Sequence, residues 1–107
     1  MERARVVFAR TAQDDIQEIY EGVLLKSRSA ATADGYILRL EERCRRIGNV
    51  PQGVRLRPEF RRDIRIVPFE DTLVIAYRYE AGVVTITNVF STQRDYEAML
   101  RDPSSDD

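Results

Sequence analysis

The sequence predicts one α+β domain in which an antiparallel β-sheet is covered on one face by two helices. Between residues 63 and 90, β-branched and other apolar side chains recur at every second position, and turn residues interrupt them twice, which is typical of a three-stranded meander. Between residues 11 and 48, apolar residues recur at steps of three and four, which predicts two amphipathic helices. A chain of 107 residues suits one such domain, 1–107, and is too short for two.

The first predicted element is a short strand, Arg5 to Phe8, which we expect to join the sheet at an edge or in its middle. A helix should follow, with Thr11 as its N-cap and Asp14 completing a capping-box spacing. This helix should end near Lys26. Its apolar stripe consists of Ala12, Ile16, Ile19, Tyr20, Val23 and Leu24.

A second helix should be capped by Ser27 or Ser29 and should end at Gly48. Because a link of about three residues joins the two helices, they should form an antiparallel hairpin that covers the sheet. Cys44 lies on the apolar stripe, so we interpret it as a small buried hydrophobe and not as a nucleophile. The full stripe consists of Ala30, Ala33, Ile37, Leu40, Cys44 and Ile47.

The meander should contain two short turns, one at residues 69–72 and one at residues 80–82, where Gly82 suits a tight hairpin. A short C-terminal helix is predicted at 93–101, with Ser91 or Thr92 as its N-cap. The side chains expected to share one buried face of the sheet are Ile64, Ile66, Leu73, Ile75, Tyr77, Val83, Thr85, Thr87 and Val89.

Composition excludes several kinds of activity. The chain has no histidine and one cysteine, which excludes histidine-dependent hydrolysis, thiol–imidazole catalysis and histidine-ligated metal sites, and no cofactor or metal is expected. No apolar run approaches the ~20 residues of a membrane span, and residues 1–10 carry charges where a signal peptide would be apolar. We therefore expect a cytoplasmic protein that does not contact a membrane.

The charges are balanced over the whole chain but are unevenly distributed along it. The net charge is −1, so we expect no general attraction to nucleic acid and no direct sequence-specific binding to it. Sixteen of the 17 basic residues are arginines, which favours bidentate contacts, although a GC-rich genome would produce the same bias. The most basic segment, 49–62, is predicted to be a loop because it contains Pro51, Gly53 and Pro58. Its arginines either pair with nearby acids or form a patch for an acidic partner.

Four stretches, taken together and in order, resemble the ParE branch of the ParE/RelE toxin superfamily of bacterial toxin–antitoxin systems. They are the opening VVFARTAQDDIQEIYEGV, the YILRLEERCRRIGNVPQGVR join of helix and loop, the DIRIVPFEDTLVIAYRYEAGVVTITNV meander and the closing QRDYEAML. No single stretch is specific, but their shared order covers nearly the whole chain.

The resemblance implies a small toxin that is neutralised by a cognate antitoxin and that inhibits DNA gyrase by binding, without chemistry of its own. The alternative is the RelE branch, whose members cut messenger RNA on the ribosome with basic residues and a late tyrosine or histidine. At the first of the basic positions of these nucleases, this sequence has a basic residue, Arg65. The next two basic positions of the RelE pattern fall near Val67 or Pro68 and near Val74. The position of the late tyrosine or histidine falls near Leu100. We therefore predict a protein-binding toxin and no enzyme, with a nuclease or a degenerate non-toxic interaction module as the alternatives.

Two groups of residues are candidates for contacts with partners. The alternation along the third predicted strand should bury Tyr77 and Tyr79 and leave Arg78 accessible on the other face. Arg94 has a second possible role as the ion-pair partner of Asp95 or Asp63. The candidates for the target are Arg65, Arg78, Arg94 and Tyr96. The candidates for the antitoxin are Tyr20, Val23, Leu24 and Ile37, bordering an apolar groove along the hairpin, and the basic residues Arg57, Arg61 and Arg62.

Overall fold

A computed structural model describes residues 3–60 and 62–92 of the chain. The elements in these residues are β1 (Arg5–Phe8), α1 (Arg10–Ser27), α2 (Ala30–Ile47), β2 (Arg65–Phe69), β3 (Leu73–Glu80) and β4 (Val83–Ser91). The strands form one sheet in the order β1-β4-β3-β2. β2, β3 and β4 form an antiparallel meander, and β1 pairs in parallel with β4 at the edge of the sheet.

The predicted α+β architecture of strand, helical hairpin and meander is therefore confirmed. β1 occupies an edge, which is one of the two places that the sequence allowed. The predicted helix at 93–101 lies outside the described residues, as do Arg61, Arg94 and Tyr96.

The helical hairpin matches its predicted ends except at the start of α1. Ser29 is the N-cap of α2, where its hydroxyl accepts a hydrogen bond from Thr32 N at 3.1 Å. The prediction that Thr11 caps α1 is wrong, because α1 begins at Arg10 with Ala9 as its N-cap. A one-residue link from β1 brings the first turn of α1 directly against β4, and the Thr11 hydroxyl donates to a β4 carbonyl instead.

Both hairpin turns lie where the sequence predicts them, and each has two central residues with positive φ. These are Glu70 (48°) and Asp71 (59°) between β2 and β3, and Ala81 (52°) and Gly82 (80°) between β3 and β4. Positive φ at both positions is the type I′ geometry, whose twist matches the twist of paired strands. Only Gly82 adopts it without a steric cost, so strand pairing must offset that cost at the other three residues.

The sheet carries buried side chains on both faces, whereas the sequence predicted one buried face. Under the helical hairpin lies a large cluster that includes Leu40, Cys44, Leu73, Ile75, Tyr77, Val84, Ile86 and Val89. On the other face lies a smaller cluster of Phe60, Ile64, Ala76 and Phe90, with Ile66 packed against it. Cys44 is fully buried, and this burial raises the pKa of its thiol to about 12, so it is the inert hydrophobe that the sequence predicts.

A β-bulge in β4 explains why the predicted face was wrong along part of β4. Ala76 pairs with Asn88 while Tyr77 pairs with Ile86, so Thr87 is an extra residue on β4. An extra residue changes which side chains of a strand point to a given face. Val83 and Thr85 of the predicted face point away from the helices, because Val84 and Ile86 pack under them. Ile64 and Ile66 also lie on the side away from the helices, but for another reason: β2 pairs with β3 so that Arg65 and Val67 are opposite Tyr77 and Ile75.

Candidate functional site

A cleft lies between α1 and the C-terminal part of β4, and we call it the α1–β4 cleft. It consists of two adjoining cavities of about 180 and 330 Å³, both lined by Ile19 and Ser91. Val23 and Leu73 add apolar surface to the larger cavity, while the smaller one has Asp15 on its wall. The rest of the lining is largely polar, with Glu18 in the smaller cavity and Lys26 and Asp71 in the larger one. The cleft therefore offers both apolar contact surface and charged groups to a partner protein.

The near wall of the cleft is fixed by side chains of α1 that bond directly to β4. The Asp15 carboxylate accepts hydrogen bonds from Val89 N at 2.9 Å and from Asn88 Nδ2 at 3.3 Å. The Thr11 hydroxyl donates to the Thr87 carbonyl, at the bulge. β1 pairs with β4 only as far as Ile86, so these two side chains bond the backbone of β4 beyond the end of β1.

The far wall of the cleft is fixed by contacts between α2 and the β2–β3 turn. The Tyr36 hydroxyl lies 2.8 Å from the Thr72 hydroxyl, and Arg39 Nε donates to a Glu70 carboxylate oxygen at 2.9 Å. This hydrogen bond holds the pKa of Glu70 below its usual value and raises the pKa of Arg39. The cleft is therefore held open between two walls that are each anchored to the sheet.

The four residues predicted to border the antitoxin groove do not share one environment. Val23 lines the α1–β4 cleft, whereas Tyr20 faces α2, where the negative charge of Asp34 raises the pKa of the Tyr20 hydroxyl. Ile37 packs against the large cluster under the helices, and Leu24 is half-buried.

The arginines of the basic loop at 49–62 are partly paired within the loop. Arg57 Nε donates to a Glu59 carboxylate oxygen at 2.7 Å, and its guanidinium lies 4.6 Å from the centroid of the Phe60 ring. Arg55 lies 3.7 Å from the same carboxylate. The Arg57 hydrogen bond is the main reason that the pKa of Glu59 is lowered. Arg62 is exposed.

The target candidates on the sheet also differ in environment. Arg78 is exposed and lies 3.9 Å from Asp63, while Tyr77 and Tyr79 pack on the helix-covered face, as their alternation predicts. Arg65 is half-buried, and its guanidinium donates to the Val54 carbonyl.

Tyr77 and Arg65 together attach the basic loop to the sheet. They are cross-strand partners, and the Tyr77 hydroxyl donates to the Pro51 carbonyl at 2.8 Å. Burial raises the pKa of Tyr77, and the positive charges of Arg65 and Arg43 oppose that rise. Both guanidinium groups therefore act on the same buried hydroxyl.

The sequence did not single out Thr11, Asp15 or Arg43 as residues that shape these surfaces. Thr11 and Asp15 are one helical turn apart and border the apolar stripe of α1, which is the pattern that could have indicated them. Arg43 directly precedes Cys44, which lies on the apolar stripe of α2. Because Arg45 and Arg46 follow, the sequence does not distinguish Arg43 from its neighbouring arginines.

Neither described helix is long and apolar enough to cross a membrane, and the described residues contain no group of acids and cysteine able to hold a metal ion. The strand, the helical hairpin and the meander follow one another in the order that the resemblance to the ParE branch implies. The chain belongs to the ParE toxin family of type II toxin–antitoxin systems (parDE), because the model of that family matches residues 6–96.

The fold is also similar to a solved structure described as the chromosomal ParDE TA system from P. aeruginosa. The TM-score is 0.74, and the match covers 85% of this chain and 98% of that chain. At 15% sequence identity, this similarity shows a shared fold. No curated protein sequence matches the chain.

Proposed function

We propose that this protein is a cytoplasmic toxin that binds DNA gyrase and blocks its cycle without chemistry of its own, and that a cognate antitoxin neutralises it. The observation that carries the proposal is the match to the ParE toxin family over residues 6–96.

A RelE-type nuclease needs ionisable groups at certain positions of the meander. The residues that this chain has at those positions support a toxin that acts by binding a protein and not by cutting RNA. Cleavage requires a base, an acid and a cation close to the scissile phosphate. Val67 and Val74 are buried apolar residues, and Pro68 cannot titrate. Arg65 does carry a charge, but its guanidinium is bonded to the Val54 carbonyl in the basic loop.

The α1–β4 cleft supports a site for the antitoxin. A segment that folds on binding gains affinity by inserting apolar side chains into a preformed groove. Ile19 and Val23 present such a surface on α1, and the basic loop offers exposed Arg62 to acidic residues of the same partner.

The test is a gyrase supercoiling and cleavage assay with the purified protein, with and without its antitoxin. We expect inhibition that the antitoxin relieves. A preparation that arrests growth in cells but leaves gyrase unaffected would contradict the gyrase target and would direct the search to the ribosome. A folded protein that does not arrest growth would support the non-toxic module.

The Val23→Glu variant tests the cleft as the antitoxin site. A carboxylate at this position should weaken antitoxin binding by at least about tenfold, since it replaces apolar contact surface and loses hydration when the partner covers it, while gyrase inhibition should persist. Leu25→Glu is the matched control, because Leu25 is 80% exposed on the same helix. Calorimetric titration of both variants with the antitoxin measures the difference, and equal affinities would remove the cleft from the proposal.

A further inference from the structure

A small pocket lies where the end of α2, the basic loop and the sheet meet, and we call it the Tyr77 pocket. Its volume is about 160 Å³, which is the scale of a single side chain. Its walls are mainly apolar, and two residues bring polar groups to it. It is lined by Arg43, Ile47, Val50, Gly53, Val54, Val67 and Tyr77.

The positive charge at this pocket has no compensating carboxylate among the described residues. Arg43 is half-buried and has no hydrogen-bond or ion-pair partner in the described part of the chain. Arg65 is half-buried as well, and the one hydrogen bond of its side chain in residues 3–60 and 62–92 is to the neutral Val54 carbonyl. By contrast, Arg39 and Arg57 are each bonded to a glutamate.

Arg43 supplies the guanidinium donors of the pocket. Arg65 is not among the lining residues; it faces Tyr77 across β2 and β3 and bonds to the Val54 carbonyl, so its charge lies beside the pocket. The Tyr77 hydroxyl proton is already donated to the Pro51 carbonyl. What the pocket offers a ligand is therefore the Arg43 guanidinium above apolar walls.

We propose that the Tyr77 pocket binds the carboxylate of a single aspartate or glutamate side chain of a partner protein. A guanidinium fork pairs with a carboxylate through two parallel hydrogen bonds. The apolar walls contact the methylene groups that carry the carboxylate, whereas a phosphodiester backbone would need a continuous row of donors outside the pocket. The identity of the partner as the antitoxin rests on the proposed function, but the preference for a carboxylate does not.

The test uses the full chain and a glutamate side chain with a blocked backbone, N-acetylglutamate N-methylamide. NMR follows the arginine Nε–H signals during a titration. We expect a saturable shift of the Arg43 signal with a dissociation constant of roughly 10 mM, which is typical of a few charge-assisted hydrogen bonds. The glutamine analogue, which is neutral and of the same shape, should cause no saturable shift.

Three variants separate a local contact from general charge attraction. Arg43→Gln should weaken binding by at least about tenfold, since the bidentate pair is lost. Arg43→Lys keeps the charge without the fork and should lie in between. Arg46→Gln removes the same charge from an exposed position on α2 and should change the affinity by less than about twofold. Circular dichroism establishes that each variant is folded.

Several outcomes would overturn the proposal. These are equal binding of the glutamate and glutamine analogues, equal losses for Arg43→Gln and Arg46→Gln, or tighter binding of methyl phosphate than of the glutamate analogue. The titration contains neither gyrase nor antitoxin. A pocket that binds carboxylate in a protein without effect on gyrase would therefore contradict the proposed function alone.

Discussion

Gly48 joins the end of α2 to the start of β1 by close contact. Ala4 N donates to the Gly48 carbonyl at 2.8 Å, so the chain entering β1 passes directly over this residue. A Cβ atom at Gly48 would lie 2.7 Å from the Ala4 carbonyl oxygen and 2.9 Å from Val6 Cγ2. The sequence predicts a glycine stop here, but Gly48 has φ of −60°, so close packing and not a left-handed backbone requires glycine.

We expect Gly48→Ala to lower the free energy of unfolding by about 1–3 kcal/mol, because backbone atoms that cannot move aside meet the added methyl group. Urea denaturation followed by circular dichroism measures the change. The control is Gly22→Ala in α1, where a Cβ meets nothing within 4 Å. This substitution should stabilise the protein by about 0.5–1 kcal/mol through helix propensity. The same sign for both variants would contradict the steric account.

At the scale of the elements, the docking of α1 on β4 depends on polar contacts as well as apolar packing. Asp15 accepts hydrogen bonds from the backbone and from a side chain of β4, next to the bulge at Thr87. These backbone groups of β4 lie beyond Ile86, where the pairing with β1 ends. Asp15 and Thr11 therefore supply the partners that β1 does not reach.

We expect Asp15→Ala to lower the free energy of unfolding by about 1–3 kcal/mol, since it leaves a donor of the β4 backbone without its acceptor. Asp14→Ala is the control, because Asp14 is exposed and its contact in the described chain is a surface ion pair with Arg10 at 3.6 Å. Its midpoint of urea denaturation should stay close to that of the parent protein. If both variants lost the same free energy of unfolding, the negative charge in the first turns of α1 would be the stabilising factor, and the hydrogen bond from Asp15 to β4 would not.

The elements themselves could be predicted because their periods are clear, but the side-chain faces of the sheet could not. The bulge in β4 carries no glycine or other special residue, and it appears only as a shift in pairing at Thr87. β3 is apolar at consecutive positions from Leu73 to Tyr77, so alternation does not say which side faces the helices. Thr11 fits a capping box in sequence, but the neighbouring strand provides a competing acceptor for its hydroxyl.

At the scale of the whole molecule, the sheet is the middle layer between two unequal clusters. The smaller cluster contains Ile64, which is fully buried just before β2. It packs with Phe60 from the basic loop and with Phe90 near the end of β4. The cluster therefore joins the loop to the sheet on the face away from the helices.

We expect Ile64→Ala to lower the free energy of unfolding by about 2–5 kcal/mol, as large-to-small substitutions in a core do. Leu25→Ala, at an exposed position, should change it by less than about 0.5 kcal/mol. Urea denaturation of both variants makes the comparison. A change of less than 0.5 kcal/mol for Ile64→Ala as well would mean that the smaller cluster contributes little to the fold.

The partner surfaces were harder to predict than the fold because they depend on contacts between distant segments. Arg65 could be singled out from its place in the meander, but Arg43 could not. The pocket that Arg43 lines exists only because the basic loop folds back onto the sheet, where Tyr77 bonds to Pro51. No local pattern around Arg43 contains that information.

The parallel pairing of β1 with β4 also bears on how the chain is made. β1 precedes the other described strands in the chain, and among them its one neighbour in the sheet is β4, the last strand of the meander. Until residues 83–86 have emerged, β1 has no strand to pair with, and α1 lacks the backbone groups that its Thr11 and Asp15 bind. Contacts between such distant parts of a chain form late. The native contacts of β1 and α1 should therefore form only after β4 has emerged, and a nascent chain truncated before residue 83 should not acquire the surfaces described above.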